Sequence, residues 1–157
     1  MGRIDLDDEL FLPVVDRLWW GDLERKKEEM VKVTGPFPKI KLFCDDIGRG
    51  DQIDLIDVME KWEARLMTQE NQPDIPYNFL VGNDGIVYEG RSWEYYPPEI
   101  NEFWICYLGN FTDDDPDWDR IYAVHNLILY GIKENYIEKH FSLETYTKNK
   151  IESPQPS

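Results

Sequence analysis

Two short apolar runs, residues 77–81 and 86–88, flank the tripeptide Asn83-Asp84-Gly85. Asn, Asp and Gly tolerate the left-handed backbone of a tight reversal, so the segment predicts a β-hairpin in mid-chain. That hairpin commits the fold to a sheet. Residues 39–44 alternate polar with apolar, as a half-buried strand does. Residues 103–108 are an unbroken apolar run, the pattern of a strand covered on both faces. Val14-Val15 predicts a further short strand. Two helical patterns lie between them. One is capped by Asp51 and runs to about residue 70, with Ile53, Ile56, Met59, Trp62 and Leu66 on one stripe. The other starts at Asp115-Pro116. Its face of Trp118, Ile121, Tyr122, His125, Leu129 and Ile132 is widened by Val124, Leu127 and Ile128, which predicts a deeply buried helix. Strands alternating with helices predict an α/β domain: a mixed central β-sheet flanked by helices.

A chain of 157 residues makes one domain with a single sizeable core. Residues 1–12 form a leader of mixed acidic and apolar character, 13–150 the domain, and 151–157 a flexible polar tail. The 6 Trp, 9 Tyr and 7 Phe argue against disorder. The net charge of −15 repels nucleic acid and anionic membranes, so no nucleic-acid partner is expected. There is no stretch of 18 or more apolar residues, and the N-terminus lacks the apolar core of a signal peptide. A membrane link would need an anchor elsewhere in a parent chain. Cys44 and Cys106 are too few for a disulfide framework. Asn110-Phe111-Thr112 matches the N-glycosylation sequon at Asn110, which favours an extracellular surface position.

The segment Tyr77-Asn78-Phe79-Leu80-Val81-Gly82-Asn83-Asp84-Gly85-Ile86-Val87-Tyr88-Glu89-Gly90-Arg91-Ser92-Trp93 resembles the central hairpin of peptidoglycan recognition proteins, relatives of the bacteriophage-type zinc amidases. Three further landmarks follow the family's order. Arg17-Leu18-Trp19-Trp20-Gly21 is similar to its Arg-x-x-Trp-Gly. Ile105-Cys106-Tyr107-Leu108-Gly109-Asn110-Phe111 is similar to its Ile-Ser-Phe-Ile-Gly-Asn-Phe strand. The helix ending at Gly131-Ile132 falls where the family's long helix ends in Gly-Val. The resemblance implies the N-acetylmuramoyl-L-alanine amidase-like fold over about residues 13–150.

It also implies where zinc ligands would sit, and there this sequence departs from the catalytic members. A catalytic zinc needs three protein ligands and an open position for water. The family's His-His-Thr at the end of the first core strand reads Cys44-Asp45-Asp46. The second ligand position aligns with Tyr146, and the third falls near Pro154. Of the two histidines, His125 lies inside a helix, and His140 is followed by Lys148 where a third ligand would be needed. Tyr77 matches the tyrosine that assists catalysis in the amidases. No cofactor and no amidase activity are therefore expected. The family's usual cysteine pair after that strand is also missing, and Cys44 and Cys106 are expected as buried free thiols.

The binding groove departs as well. Gly90-Arg91-Ser92-Trp93 stands for Gly-Arg-Gly-Trp, with Ser92 replacing a glycine. The next loop lacks its histidine and is shorter. Asp45 and Asp46 set negative charge on the groove floor, against an anionic ligand. Arg91 keeps a planar fork suited to a ligand carboxylate, or pairs with a local acid. Trp93, Tyr95 and Tyr96 offer aromatic anchors for a protein partner, or fold inward as filler. The resemblance is to a site-degenerate domain, as in membrane-anchored insect members of the LF type. It implies a non-catalytic ectodomain that restrains peptidoglycan-triggered immune signalling by pairing with a receptor of the same fold, with weak or absent peptidoglycan binding. A muropeptide-binding receptor domain with an unusual groove remains the alternative.

Overall fold

A computed structural model describes residues 2–5, 11–21, 23–45, 55–82, 85–109 and 116–145. The elements in chain order are β1 (Gly2–Asp5), β2 (Phe11–Val15), the short α1 (Arg17–Trp20), β3 (Phe37–Asp45), α2 (Leu55–Ala64), β4 (Phe79–Val81), β5 (Val87–Glu89), β6 (Glu102–Leu108), α3 (Trp118–Lys133) and β7 (Ile137–Thr145). The strands form one seven-stranded sheet in the order β1-β2-β5-β4-β6-β3-β7. The pairs β1/β2 and β4/β5 are antiparallel and the rest are parallel, so the sheet is mixed.

A sheet covered on both faces needs two cores, and there are two. Phe37, Ile40, Leu42, Cys44, Phe79, Val81, Phe103, Ile105 and Tyr107 meet Ala123, Val124 and Leu127 of α3 on one side. Phe43, Tyr77, Leu80, Tyr88, Cys106 and Leu108 meet Trp20 of α1 and Met59 and Trp62 of α2 on the other. Successive residues of a strand point to opposite faces, and Phe43 and Cys44 obey that period.

Several boundaries differ from the sequence reading. Gly2–Asp5, within the expected leader, is the edge strand β1. Residues 137–145, to which the sequence reading assigned no element, form β7, which adds to β3 in parallel. Its burial pattern explains why it escaped notice: one side chain, Ile137, is fully buried and most others face solvent. The cap of α3 is Asp117, whose side chain accepts from the Arg120 N–H at 3.1 Å; Asp115 and Asp51 lie outside the described residues. The apolar face expected to be buried is so only in part: Val124 and Leu127 are buried, and Ile128 and Ile132 pack against the core. Arg120, Ala123, Val124, Asn126, Leu127 and Gly131 face inward, while Trp118, Ile121, Tyr122 and Leu129 are exposed. A helix apolar on two sides gives periodicity no means of choosing between them.

Candidate functional site

The site the sequence points to is built from the entry to the hairpin. Tyr77 and Asn78 precede β4, and the chain returns past them at Gly90-Arg91-Ser92. The N–H groups of Gly90 and Ser92 donate to the Asn78 carbonyl at 2.9 Å, and that of Arg91 to the Tyr77 carbonyl at 2.9 Å. A Cβ on Gly90 would stand 2.2 Å from the Tyr77 carbonyl oxygen, so only glycine permits this approach. The buried Asn78 side chain ties three segments together. Its Nδ2 donates to the carbonyls of Ser92 at 2.8 Å and Tyr95 at 2.9 Å, and its Oδ1 accepts from the Trp104 N–H at 2.7 Å.

Tyr77 itself is fully buried. Its ring packs at centroid distances of 5.3 Å from Phe43, 5.6 Å from Trp62 and 6.2 Å from Trp104. Phe43 and Trp104 also meet at 4.8 Å. The β3 residue that faces Tyr77 is therefore Phe43. Cys44 points to the α3 side, beside Tyr107, its parallel partner in β6. The structure thus parts Cys44 from Tyr77, which the sequence had grouped in one degenerate site. The rings that pack on Tyr77 among the described residues are phenyl and indole groups, which offer zinc no ligand atom. Among the described residues, no three His, Cys, Asp or Glu side chains converge as a metal site would require. Asp45 ends β3; Asp46, Tyr146 and Asn110 lie outside the described residues.

Cys44 and Cys106 are both free and buried, on opposite faces of the sheet, which leaves no geometry for a bond between them. On the α3 face, burial first and the neighbouring Cys44 second push the Tyr107 hydroxyl up to about 12.

The residues expected to meet a ligand or partner are mostly committed inward. The Arg91 guanidinium donates to the carbonyls of Ile75 at 2.7 Å, Tyr96 at 2.8 Å and Asp74 at 3.5 Å. It is 4% exposed, so it holds the hairpin to the 74–76 loop and offers no fork to a ligand carboxylate. Burial pulls its pKa down; Asp74 opposes this, and Arg17 and Arg25 add to the fall. Tyr96 is a core residue, edge-on to Phe37 at 5.7 Å. Trp93 stacks between Phe103 at 4.8 Å and Tyr136 at 4.7 Å. These two rings fill the α3 side, away from Tyr77. Tyr95 is half-buried and bridges to Lys32. Ser92 adopts φ 63°, a left-handed backbone that disfavours a side chain.

Sequence reasoning missed a buried ion cluster. Arg17 Nη2 donates to Glu63 Oε2 at 2.7 Å and to Asp74 Oδ1 at 2.5 Å. Glu63 Oε1 accepts from the Leu23 N–H at 3.1 Å, and Asp74 Oδ1 from the Ile75 N–H at 2.7 Å. Burial lowers the Arg17 pKa, but Asp74 and then Glu63 more than offset it, and the net shift is upward. The motif Arg17-Leu18-Trp19-Trp20-Gly21 now has a physical content. Trp20 is fully buried with its indole N–H on the Glu89 carbonyl at 2.8 Å, and the guanidinium of Arg17 lies 4.7 Å over its ring. A Cβ on Gly21 would meet Arg17 Nε at 2.8 Å. A cavity of about 680 Å³ opens beside this cluster, lined by Arg17, Leu18, Leu23, Arg25 and Glu89 among others.

No protein-family model matches the chain. It is 30% identical over 92 residues to peptidoglycan-recognition protein SA of Drosophila melanogaster, covering 55% of this chain and 45% of that protein. The chain thus spans about half the length, or less, of the curated relatives it matches. The solved Drosophila peptidoglycan recognition protein SA superposes with a TM-score of 0.76 at 23% identity, over 85% of this chain and 80% of the other. The complex of the ectodomains of peptidoglycan recognition proteins LCa and LCx with tracheal cytotoxin matches at a TM-score of 0.71 and 22% identity, over 85% of this chain and 84% of that one. With the hairpin, the Arg17-to-Gly21 motif and the seven-stranded sheet already described, the chain is similar in sequence to peptidoglycan recognition proteins over about half its length and shares their fold over most of it.

Proposed function

We propose that this chain is a non-catalytic recognition domain of innate immunity, which restrains peptidoglycan-triggered signalling by pairing with a receptor of the same fold. The reading rests on the ring of Phe43 against Tyr77, where a metal-binding imidazole would be needed. Trp62 and Trp104 close the same space with side chains that bind no metal. Arg91, the natural partner for a muropeptide carboxylate, is committed to backbone carbonyls. The complex of two same-fold ectodomains named above supports same-fold pairing as a mode of action. In this reading the domain works outside the cell and reaches the membrane through an anchor elsewhere in a parent chain. Among the described residues no helix is long and apolar enough to cross a bilayer.

The test is a three-way titration by calorimetry of the purified domain with zinc, with muropeptide fragments and with the ectodomain of a same-fold immune receptor. Receptor binding with neither zinc-dependent peptide release nor muropeptide binding at micromolar strength is expected. Tight muropeptide binding without release would instead make this a ligand-binding receptor domain. Chelator-sensitive release of the stem peptide would make it an amidase.

A further inference from the structure

The long helix α3 is apolar on two sides. Ala123, Val124 and Leu127 pack on the sheet. On the opposite side Trp118 is 71%, Tyr122 44% and Leu129 48% exposed, with His125 exposed between them and Ile121 alongside. A soluble helix ordinarily sets charges there. None of these five residues is a carboxylate, in a chain whose net charge is −15. The rings of Trp118 and Tyr122 stack at 6.3 Å and 27°, so they present one continuous patch. Such patches mark interaction surfaces.

We infer that this face pairs with the same face of a second copy of the chain, as two antiparallel helices about a two-fold axis. The spacing carries the argument. Trp118, Tyr122, His125 and Leu129 follow at steps of four, three and four, a pattern that reads the same from either end. In an isologous contact residue i meets j and j meets i. An axis passing between Tyr122 and His125 sets Trp118 against the partner's Leu129 and Tyr122 against the partner's His125. The ends match too. The first turn, with Asp119, comes beside the last turn of the other helix, which carries the partner's Lys133. The two helix dipoles oppose favourably. A stable interface takes about 800 Å² from each partner, and this stripe supplies roughly half of that. The pairing is therefore weak and concentration-dependent. Two copies of charge −15 repel each other, so added salt tightens it. This inference does not depend on the function proposed above.

Sedimentation velocity of the whole chain, from micromolar to near-millimolar concentration, tests it. A reversible monomer–dimer equilibrium that tightens with salt is expected. Trp118→Glu and Leu129→Lys, each at an exposed position and each checked for an unchanged melting curve, should each weaken it by about tenfold or more. Mixed in equal amounts, these two variants should associate again, because one mutated contact becomes an ion pair and the other stays native. The double variant should recover self-association for the same reason. A wild-type chain that stays monomeric overturns the inference, even if a receptor domain binds this face. Single variants that dimerise like the wild type overturn it too, as does a mixture that fails to recover.

Discussion

The two faces of the central sheet are both buried, yet they solve the problem of burial differently. The α3 face is filled by aliphatic and aromatic side chains, with the free thiol of Cys44 and the hydroxyl of Tyr107 among them. The cation buried among its described residues, Arg120, sits at the margin, where Asp117 is half-exposed to water. The α2 face combines the rings around Tyr77 with a guanidinium and two carboxylates sealed from solvent: Arg17 at 6% and Glu63 and Asp74 at 0% side-chain exposure. The face on which the family resemblance would set chemistry thus keeps ionised groups, but they hold α1, α2 and the 74–76 loop together. Buried charge is an indicator of a catalytic site only when some of it is uncommitted.

The largest predicted effect tests that contrast. Arg17→Leu strips the counter-charge from two buried carboxylates and should cost about 3–5 kcal/mol. Arg120→Leu removes a hydrogen bond to the Leu108 carbonyl at 2.9 Å and an ion pair to a carboxylate that water can reach. It should cost about 1–2 kcal/mol. Urea denaturation of the two variants measures the difference. Equal losses would mean that the two faces bury charge in the same way.

A second measurement separates the faces by pH. The Tyr107 hydroxyl titrates at about 12 in the folded chain against an ordinary value of 10.0. With the folded pKa raised, the contribution of this group is fully present below about pH 10. The unfolded chain then loses its proton first, so stability falls as pH rises from 10 toward 12. The loss is at most about 3 kcal/mol. Tyr107→Phe should flatten that window of the stability profile and leave the profile near neutrality unchanged. Lysines and other tyrosines titrate in the same range, so the readout is the difference between variant and parent, and identical slopes would show that Tyr107 is not held neutral by its surroundings.

How much of this was legible follows from which physical signals are local. The hairpin was legible because Asn83-Asp84-Gly85 between two apolar runs has few alternatives, and the unbroken run 103–108 announced a strand covered on both sides. The facing residue of the candidate site was less so. The motif match pointed to Cys44, while the period of two along β3 puts Phe43 on the face of Tyr77 once the α2 side is known. That side is a property of the packed sheet. Asp74 gave no signal, because an acid between two prolines reads as a turn and only the distant Arg17 makes it a core residue. Arg91 was left between a ligand carboxylate and a local acid for the same reason: its acceptors are carbonyls, which every sequence position has. In α3 both faces carry apolar residues at helical spacing, so the buried one could be identified only against the sheet.

The smallest effect concerns the point where this chain departs from the family's Gly-Arg-Gly-Trp. Ser92 lies at φ 63°, next to the Gly90 approach and 7% exposed, on the turn that links the hairpin to the Trp93 stack. A non-glycine residue in the left-handed region costs about 1–2 kcal/mol, of which the greater freedom of glycine in the unfolded chain takes back about 0.5–1. Ser92→Gly should therefore stabilise the fold by about 0.5–1 kcal/mol. The backbone bonds of Ser92, its N–H to the Asn78 carbonyl and its carbonyl to Asn78 Nδ2, survive the change because neither uses the hydroxyl. Thermal melts of the two chains in the same buffer decide it. A lower melting temperature in the glycine variant would show that the hydroxyl makes a contact on the α3 side worth more than the strain it imposes, and the serine would then be part of that face's packing.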